Sequence, residues 1–150
     1  MSQSLSKIYV HVVFHTKYNK SFILPTIEKE LYAYIAGIIK STGSQLIKIN
    51  GTQDHVHILV VMSKNIALSK FLEEIKRNSS RWIKTKGQEF SDFVWQGGYA
   101  AFSVSPTNIN VVVQYIENQK DHHKKVSFKE EYVELLKLHG IEYNEDYLWG

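Results

Sequence analysis

The segment Asp54-His55-Val56-His57, running on into Ile58-Leu59-Val60-Val61-Met62, most constrains how this chain folds. A run so rich in β-branched residues reads as a strand. Side chains alternate across a strand, so His55 and His57 share one face with Leu59 and Val61, while Val56 points to the other. Apolar residues on both faces make this a central strand of a sheet, with one end opening towards a site.

The remaining elements arrange themselves around it. Ile8 to Phe14 reads as a first strand. Pro25 suits a helix start, and Ile27, Leu31, Tyr34, Ile35 and Ile38 recur at helical spacing before Gly43 as C-cap. Leu46 to Ile49 reads as a second strand, and Asn50-Gly51 as a turn. Leu68, Phe71, Leu72, Ile75, Ser79 and Trp82 form one stripe of a second long helix. Phe93-Val94-Trp95 and Tyr99 to Val104, separated by Gly97-Gly98, look like a hairpin. Ser105-Pro106-Thr107 punctuates the chain before a third helix with Ile109, Val112, Val113 and Ile116 on its apolar face. Ser127 and Glu130 form a capping box that opens a fourth helix ending near Gly140. This order favours an α+β sandwich on a mostly antiparallel sheet, close to the ferredoxin-like plan. With no repeat, low-complexity stretch or linker, residues 1–150 read as a single domain.

Composition narrows the setting. The chain has no cysteine, hence no disulfide framework and no thiolate metal site. No apolar run is long enough to span a membrane, and the polar N-terminus lacks the apolar core of a signal peptide. A cytoplasmic protein is expected. The formal charge of +3 is compatible with a nucleic-acid partner and insufficient to establish one.

Two imidazoles side by side on a rigid strand can ligate one metal ion. Taken alone, an H-x-H pair equally describes polar residues on a solvated face. Asp54 is placed to orient a ring from outside the ligand set. A third ligand must come from elsewhere, and the third helix offers one. Tyr115, Gln119 and His122 stand at i, i+4 and i+7 on one helix face. There Gln119 can donate an amide oxygen, and Tyr115 stands one turn away. A metal site with open positions can hold phosphate oxygens and polarise phosphorus. A tyrosine hydroxyl becomes a competent nucleophile towards such a phosphate, giving a phosphotyrosine that stores the energy of the cleaved bond.

The histidine strand, the segment Trp95-Gln96-Gly97-Gly98-Tyr99-Ala100-Ala101-Phe102-Ser103-Val104-Ser105, the run Tyr115-Ile116-Glu117-Asn118-Gln119 and the closing Tyr147-Leu148-Trp149 together resemble the single-tyrosine HUH transposases of the insertion-sequence 200/605 type. The resemblance runs nearly end to end. It implies a ferredoxin-like HUH fold with a catalytic-tyrosine helix towards the C-terminus. It implies a divalent cation, Mg²⁺ or Mn²⁺, on His55, His57 and Gln119. It implies that Tyr115 attacks single-stranded DNA, links to the 5′-phosphate and leaves a 3′-hydroxyl. The expected protein is a DNA transposase working on hairpin-forming element ends as a homodimer, at the nucleoid when bound to DNA. The resemblance leaves open whether the tyrosine helix serves its own histidines or its partner's. Rival readings are a host-domesticated HUH nuclease, a non-catalytic ferredoxin-like nucleic-acid-binding module, and a phosphoesterase using water. Such a module stacks bases on sheet aromatics, and this chain shows no RNP-type aromatic signature on its first and third strands, where the two histidines stand instead.

Other residues carry two readings each. His122 shares the face of Tyr115, but with His123, Lys124 and Lys125 it also describes a solvated cationic helix end. His11 and His15 of the first strand favour structural roles. Lys70, Arg77, Arg81 and Lys84 suit either phosphate contact or an ordinary solvent face. Lys17 to Lys20 are placed to meet a DNA hairpin.

Overall fold

A computed structural model describes residues 1–150. Four strands, β1 (Tyr9–His15), β2 (Gln45–Gly51), β3 (His55–Val61) and β4 (Ala100–Val104), form one antiparallel sheet in the order β2-β3-β1-β4. Helix α1 (Pro25–Ser41) links β1 to β2, and α2 (Leu68–Lys84) leads from β3 towards β4. Strand β3 returns between β1 and β2, which is the split arrangement of the ferredoxin-like plan. Three further helices follow: α3 (Ile109–Glu117), α4 (Gln119–His122) and α5 (Phe128–Leu138).

The two sheet faces differ because alternate residues differ. Val10, Val12 and Phe14 of β1 and Val56, Ile58 and Val60 of β3 pack against α1 and α2 in the main core. Helix α1 supplies Ile27, Leu31, Ile35 and Ile39, spaced at four residues, and Pro25 starts it as expected. Helix α2 supplies Phe71, Leu72, Ile75 and Ile83. Burying each such side chain contributes roughly 1.5–3 kcal/mol. The serine in the α2 stripe has a partner: Trp95 Nε1 donates to Ser79 Oγ at 3.0 Å, so neither polar atom is stranded. The opposite face carries His11, His55 and His57. A second cluster of Val13, Ala100, Phe102, Phe128, Tyr132 and Leu136 lies beside them, with α5 as its cover.

The expected hairpin between Phe93–Trp95 and Tyr99–Val104 does not form. Ala100 to Val104 pairs with Val13 to Tyr9, and Trp95 bridges Thr16 on the same side of the same strand. Gly97-Gly98 therefore takes up a register shift along one irregular edge segment. Lys76 Nζ fixes the bend by donating to Gln96 O at 2.6 Å and Gly98 O at 2.7 Å. A glycine pair between two β-rich runs suits a bulge as well as a turn, which is why the pattern misleads.

Asn50 and Gly51 do not form the expected turn: they end β2, paired with His57 and Val56, and the chain reverses at 52–54, a connection that positions the histidines. A Cβ on Gly51 would fall 2.1 Å from His55 O and 3.0 Å from Val56 Cα. Backbone cannot yield as a flexible side chain would, so Gly51→Ala must push the start of β3 aside. We expect a loss of about 1–3 kcal/mol in urea unfolding, with weakened divalent-metal binding. A wild-type midpoint would contradict this close approach of β2 to β3.

Candidate active site

His55 and His57 are fully buried on the face away from α1 and α2. His55 Nδ1 lies 2.8 Å from Asp54 Oδ1 and 2.9 Å from Thr52 Oγ1. Burial works against charge on Asp54, but hydrogen bonds from His55 and Thr52 outweigh it and hold its pKa below the usual carboxylate value. An ionised Asp54 accepts a hydrogen bond from His55 Nδ1–H, and that tautomer leaves the Nε2 lone pair aimed at the site. His57 Nδ1 and His11 Nε2 share a hydrogen bond at 2.8 Å. When the shared proton sits on His57, its Nε2 too presents a lone pair.

The end of β2 also docks the helix that carries the tyrosine. Asn50 Nδ2 donates to Ile116 O and Glu117 O, both at 3.0 Å, where α3 ends. Lys120 Nζ donates to Asn50 Oδ1 at 2.9 Å. The single long third helix expected from periodicity is therefore broken: Asn118, at φ −91° and ψ 14°, separates α3 from α4. The break turns Gln119 fully inward. Its Oε1 lies 2.9 Å from His55 Nε2, while its Nε2 donates to Glu131 Oε2 at 2.9 Å. That second bond fixes which end of the amide faces His55. With His55 in its Nδ1–H tautomer, the imidazole lone pair and the amide oxygen face each other at this distance, an arrangement that a cation held by both would satisfy. The donor set fits a divalent ion in this respect. The Tyr115 ring stands 5.7 Å from the His57 ring within the same chain.

Glu131 of α5 is the residue that sequence reasoning missed. It is 3% exposed. Its Oε1 lies 3.0 Å from His57 Nε2, 3.6 Å from His55 Nε2 and 3.0 Å from His123 Nε2. Its Oε2 accepts from Gln119 and from the Tyr115 hydroxyl. Burial opposes its charge, but hydrogen bonds from His123, His57 and Tyr115 prevail and hold it ionised well below the ordinary range. Burial and the neighbouring Glu131 charge push the Tyr115 hydroxyl up. A signal existed: Glu131 falls within the apolar stripe Phe128, Tyr132, Leu136 of α5, where a carboxylate needs partners. The Ser127–Glu130 cap is present, with Glu130 N donating to Ser127 Oγ at 3.2 Å, but it drew attention one position too early.

Other candidates divide. His11 joins the cluster through His57. His123 reaches Glu131, and His122 Nε2 is 3.4 Å from Glu131 Oε2 with its side chain 34% exposed. The two histidines are thus site neighbours more than a solvated helix end. His15 packs instead against Phe128, Tyr132 and Trp149. On α2, Lys70 and Arg77 are paired with Glu73 and Glu74 on the far side of the sheet, the ordinary solvent face.

The buried histidines make stability pH-dependent. Burial and then the His57 charge lower His11 to about 3. Burial lowers His57 to about 4 against the pull of Glu131. Below pH 6.5 the unfolded chain takes up protons that the native chain refuses, so stability is present above that pH and falls towards pH 4. For His57 this amounts to roughly 3 kcal/mol. His123 acts oppositely: burial disfavours its charge, Glu131 more than compensates, and its raised pKa gives a contribution lost as pH rises. Denaturant unfolding in EDTA should show a clear fall between pH 7 and pH 4; a flat profile would refute the buried neutral pair.

An H-x-H pair on the central strand of a ferredoxin-like sheet, facing a tyrosine helix, defines the HUH class. Residues 4–119 match the family described as "Transposase IS200 like", and the chain belongs to that family of single-tyrosine transposases. It is similar to the ISDra2 transposase TnpA of Deinococcus radiodurans, at 23% identity over 116 residues, 74% of this chain and 83% of that protein. In fold it is similar to a crystal structure of a Deinococcus radiodurans R1 protein assigned as a transposase, with TM-score 0.62, 23% identity, and 79% and 98% of the two chains covered. It is also similar to a REP-associated tyrosine transposase bound to a REP hairpin, with TM-score 0.62, 15% identity, and 84% and 76% covered. No helix is long and apolar enough to cross a membrane.

Proposed function

We propose that this transposase cleaves and rejoins single-stranded DNA through a covalent tyrosine intermediate at hairpin-bearing element ends. The observation that carries the reading is the convergence of His55, His57, Gln119 and the Tyr115 hydroxyl around one buried point of one chain. Tyr115 Oη attacks the phosphorus, the bond to the 3′-oxygen breaks, and the 5′-phosphate stays on the tyrosine. Attack by a second strand's 3′-hydroxyl reverses the step and frees Tyr115. His55, His57 and Gln119 would hold a divalent cation, Mg²⁺ or Mn²⁺, which when bound supplies Lewis-acid polarisation of the phosphate. The similar transposase bound to a REP hairpin supports a hairpin as the recognised feature. A homodimer is expected from the resemblance, and two subunits would supply the two cleavages that strand exchange requires.

Two rivals lose ground. A base-stacking module needs an open sheet face, and α3, α4 and α5 cover this one. A water-using phosphoesterase gives no reason for a tyrosine hydroxyl at the cluster. The test is to incubate the protein with single-stranded oligonucleotides tiling the DNA that flanks its gene, with Mn²⁺ or with EDTA. A band retarded on a denaturing gel with Mn²⁺ alone supports the reading; adduct formation in EDTA, or none on any oligonucleotide, refutes it.

A further inference from the structure

We infer that Glu131 is a fourth metal ligand through Oε1 and, through Oε2, the group that positions the Tyr115 hydroxyl. The inference rests on the metal reading above but concerns a residue outside the 4–119 span that matches the family.

Charge comes first. Two neutral imidazoles and an amide oxygen carry no net charge, and hard divalent cations favour carboxylate oxygens. Glu131 is the carboxylate buried among these donors, whereas Asp54 is engaged behind His55. Spacing agrees. Neighbouring ligands of one octahedral ion stand about 3 Å apart. His57 Nε2 to Glu131 Oε1 is 3.0 Å, His55 Nε2 to Glu131 Oε1 is 3.6 Å, and His55 Nε2 to Gln119 Oε1 is 2.9 Å. His55, His57 and Glu131 have their ligating atoms within 4.8 Å of one another, and all three residues are buried. The division of labour within the carboxylate follows. Oε1 faces the histidines, and Oε2 accepts from Tyr115 and from Gln119. One side chain thereby ties the nucleophile to the ligand set, and α5 becomes part of the site.

The test uses the full chain, stripped with EDTA and titrated with Mn²⁺ while the free ion is followed by electron paramagnetic resonance. Glu131→Gln should weaken Mn²⁺ binding at least tenfold, and Glu130→Gln, exposed one position away, should not change it. Should Glu131→Gln fail to fold by circular dichroism, Glu131→Asp replaces it, keeping the charge but drawing it back by one methylene; a measurable loss is again expected. Wild-type affinity in whichever variant folds overturns the inference and leaves the metal reading standing. Absence of Mn²⁺ binding by the wild type overturns both.

Discussion

Tyr115→Phe should fold normally and yield no covalent protein–DNA product. The substitution removes one oxygen. Glu131 Oε2, which accepts from that hydroxyl, keeps the Gln119 Nε2 donor at 2.9 Å, so no buried acceptor is stranded. The ring retains its place beside His57 and His122. A phenyl ring cannot attack phosphorus, and loss of a covalent nucleophile costs on the order of 10³-fold or more in rate. Adduct yield on a denaturing gel and Mn²⁺ affinity, measured together, separate chemistry from assembly. The expected result is no adduct with near-normal Mn²⁺ binding. An adduct of wild-type yield would exclude Tyr115 as the nucleophile.

His57→Ala should fail differently. It removes a proposed metal donor, His11's hydrogen-bond partner and one neighbour of Glu131. Loss of a group that merely orients a ligand costs about 10–100-fold in metal affinity, so loss of a ligand should exceed roughly 100-fold. Isothermal titration with Mn²⁺ reads this directly, and adduct yield should fall with it. Stripping the wild type with EDTA should reproduce the same loss, and added Mn²⁺ should restore only the wild type. Cleavage by His57→Ala at the wild-type rate would remove His57 from the ligand set.

The contrast between residues that declared themselves and those that did not is physical. His55 and His57 stand in an otherwise apolar strand, where two polar side chains on one face need a reason. The four-residue spacing of Tyr115 and Gln119 survives the helix break at Asn118, because the Asn50 side chain at the end of β2 clasps both sides of it. The α+β sandwich on an antiparallel sheet was legible from the element order, since a βαββαβ chain has few right-handed ways to close; the strand order β2-β3-β1-β4 fits that plan. Glu131 and His11 stayed hidden because their roles depend on packing between elements distant in sequence. His11 meets His57 only through the pairing of β1 with β3. The edge segment around Gly97-Gly98 was misread because local pattern does not say which strand a β-rich run will join.

The central claim is that Tyr115 carries the DNA covalently. Digesting the gel-purified adduct with trypsin and nuclease and sequencing the modified peptide by tandem mass spectrometry tests it most directly. Residues 87–120 form one tryptic peptide containing two tyrosines, Tyr99 and Tyr115. A nucleotide-phosphate mass on Tyr115 is the predicted result. The same mass on Tyr99, or on any tyrosine outside this peptide, would contradict it.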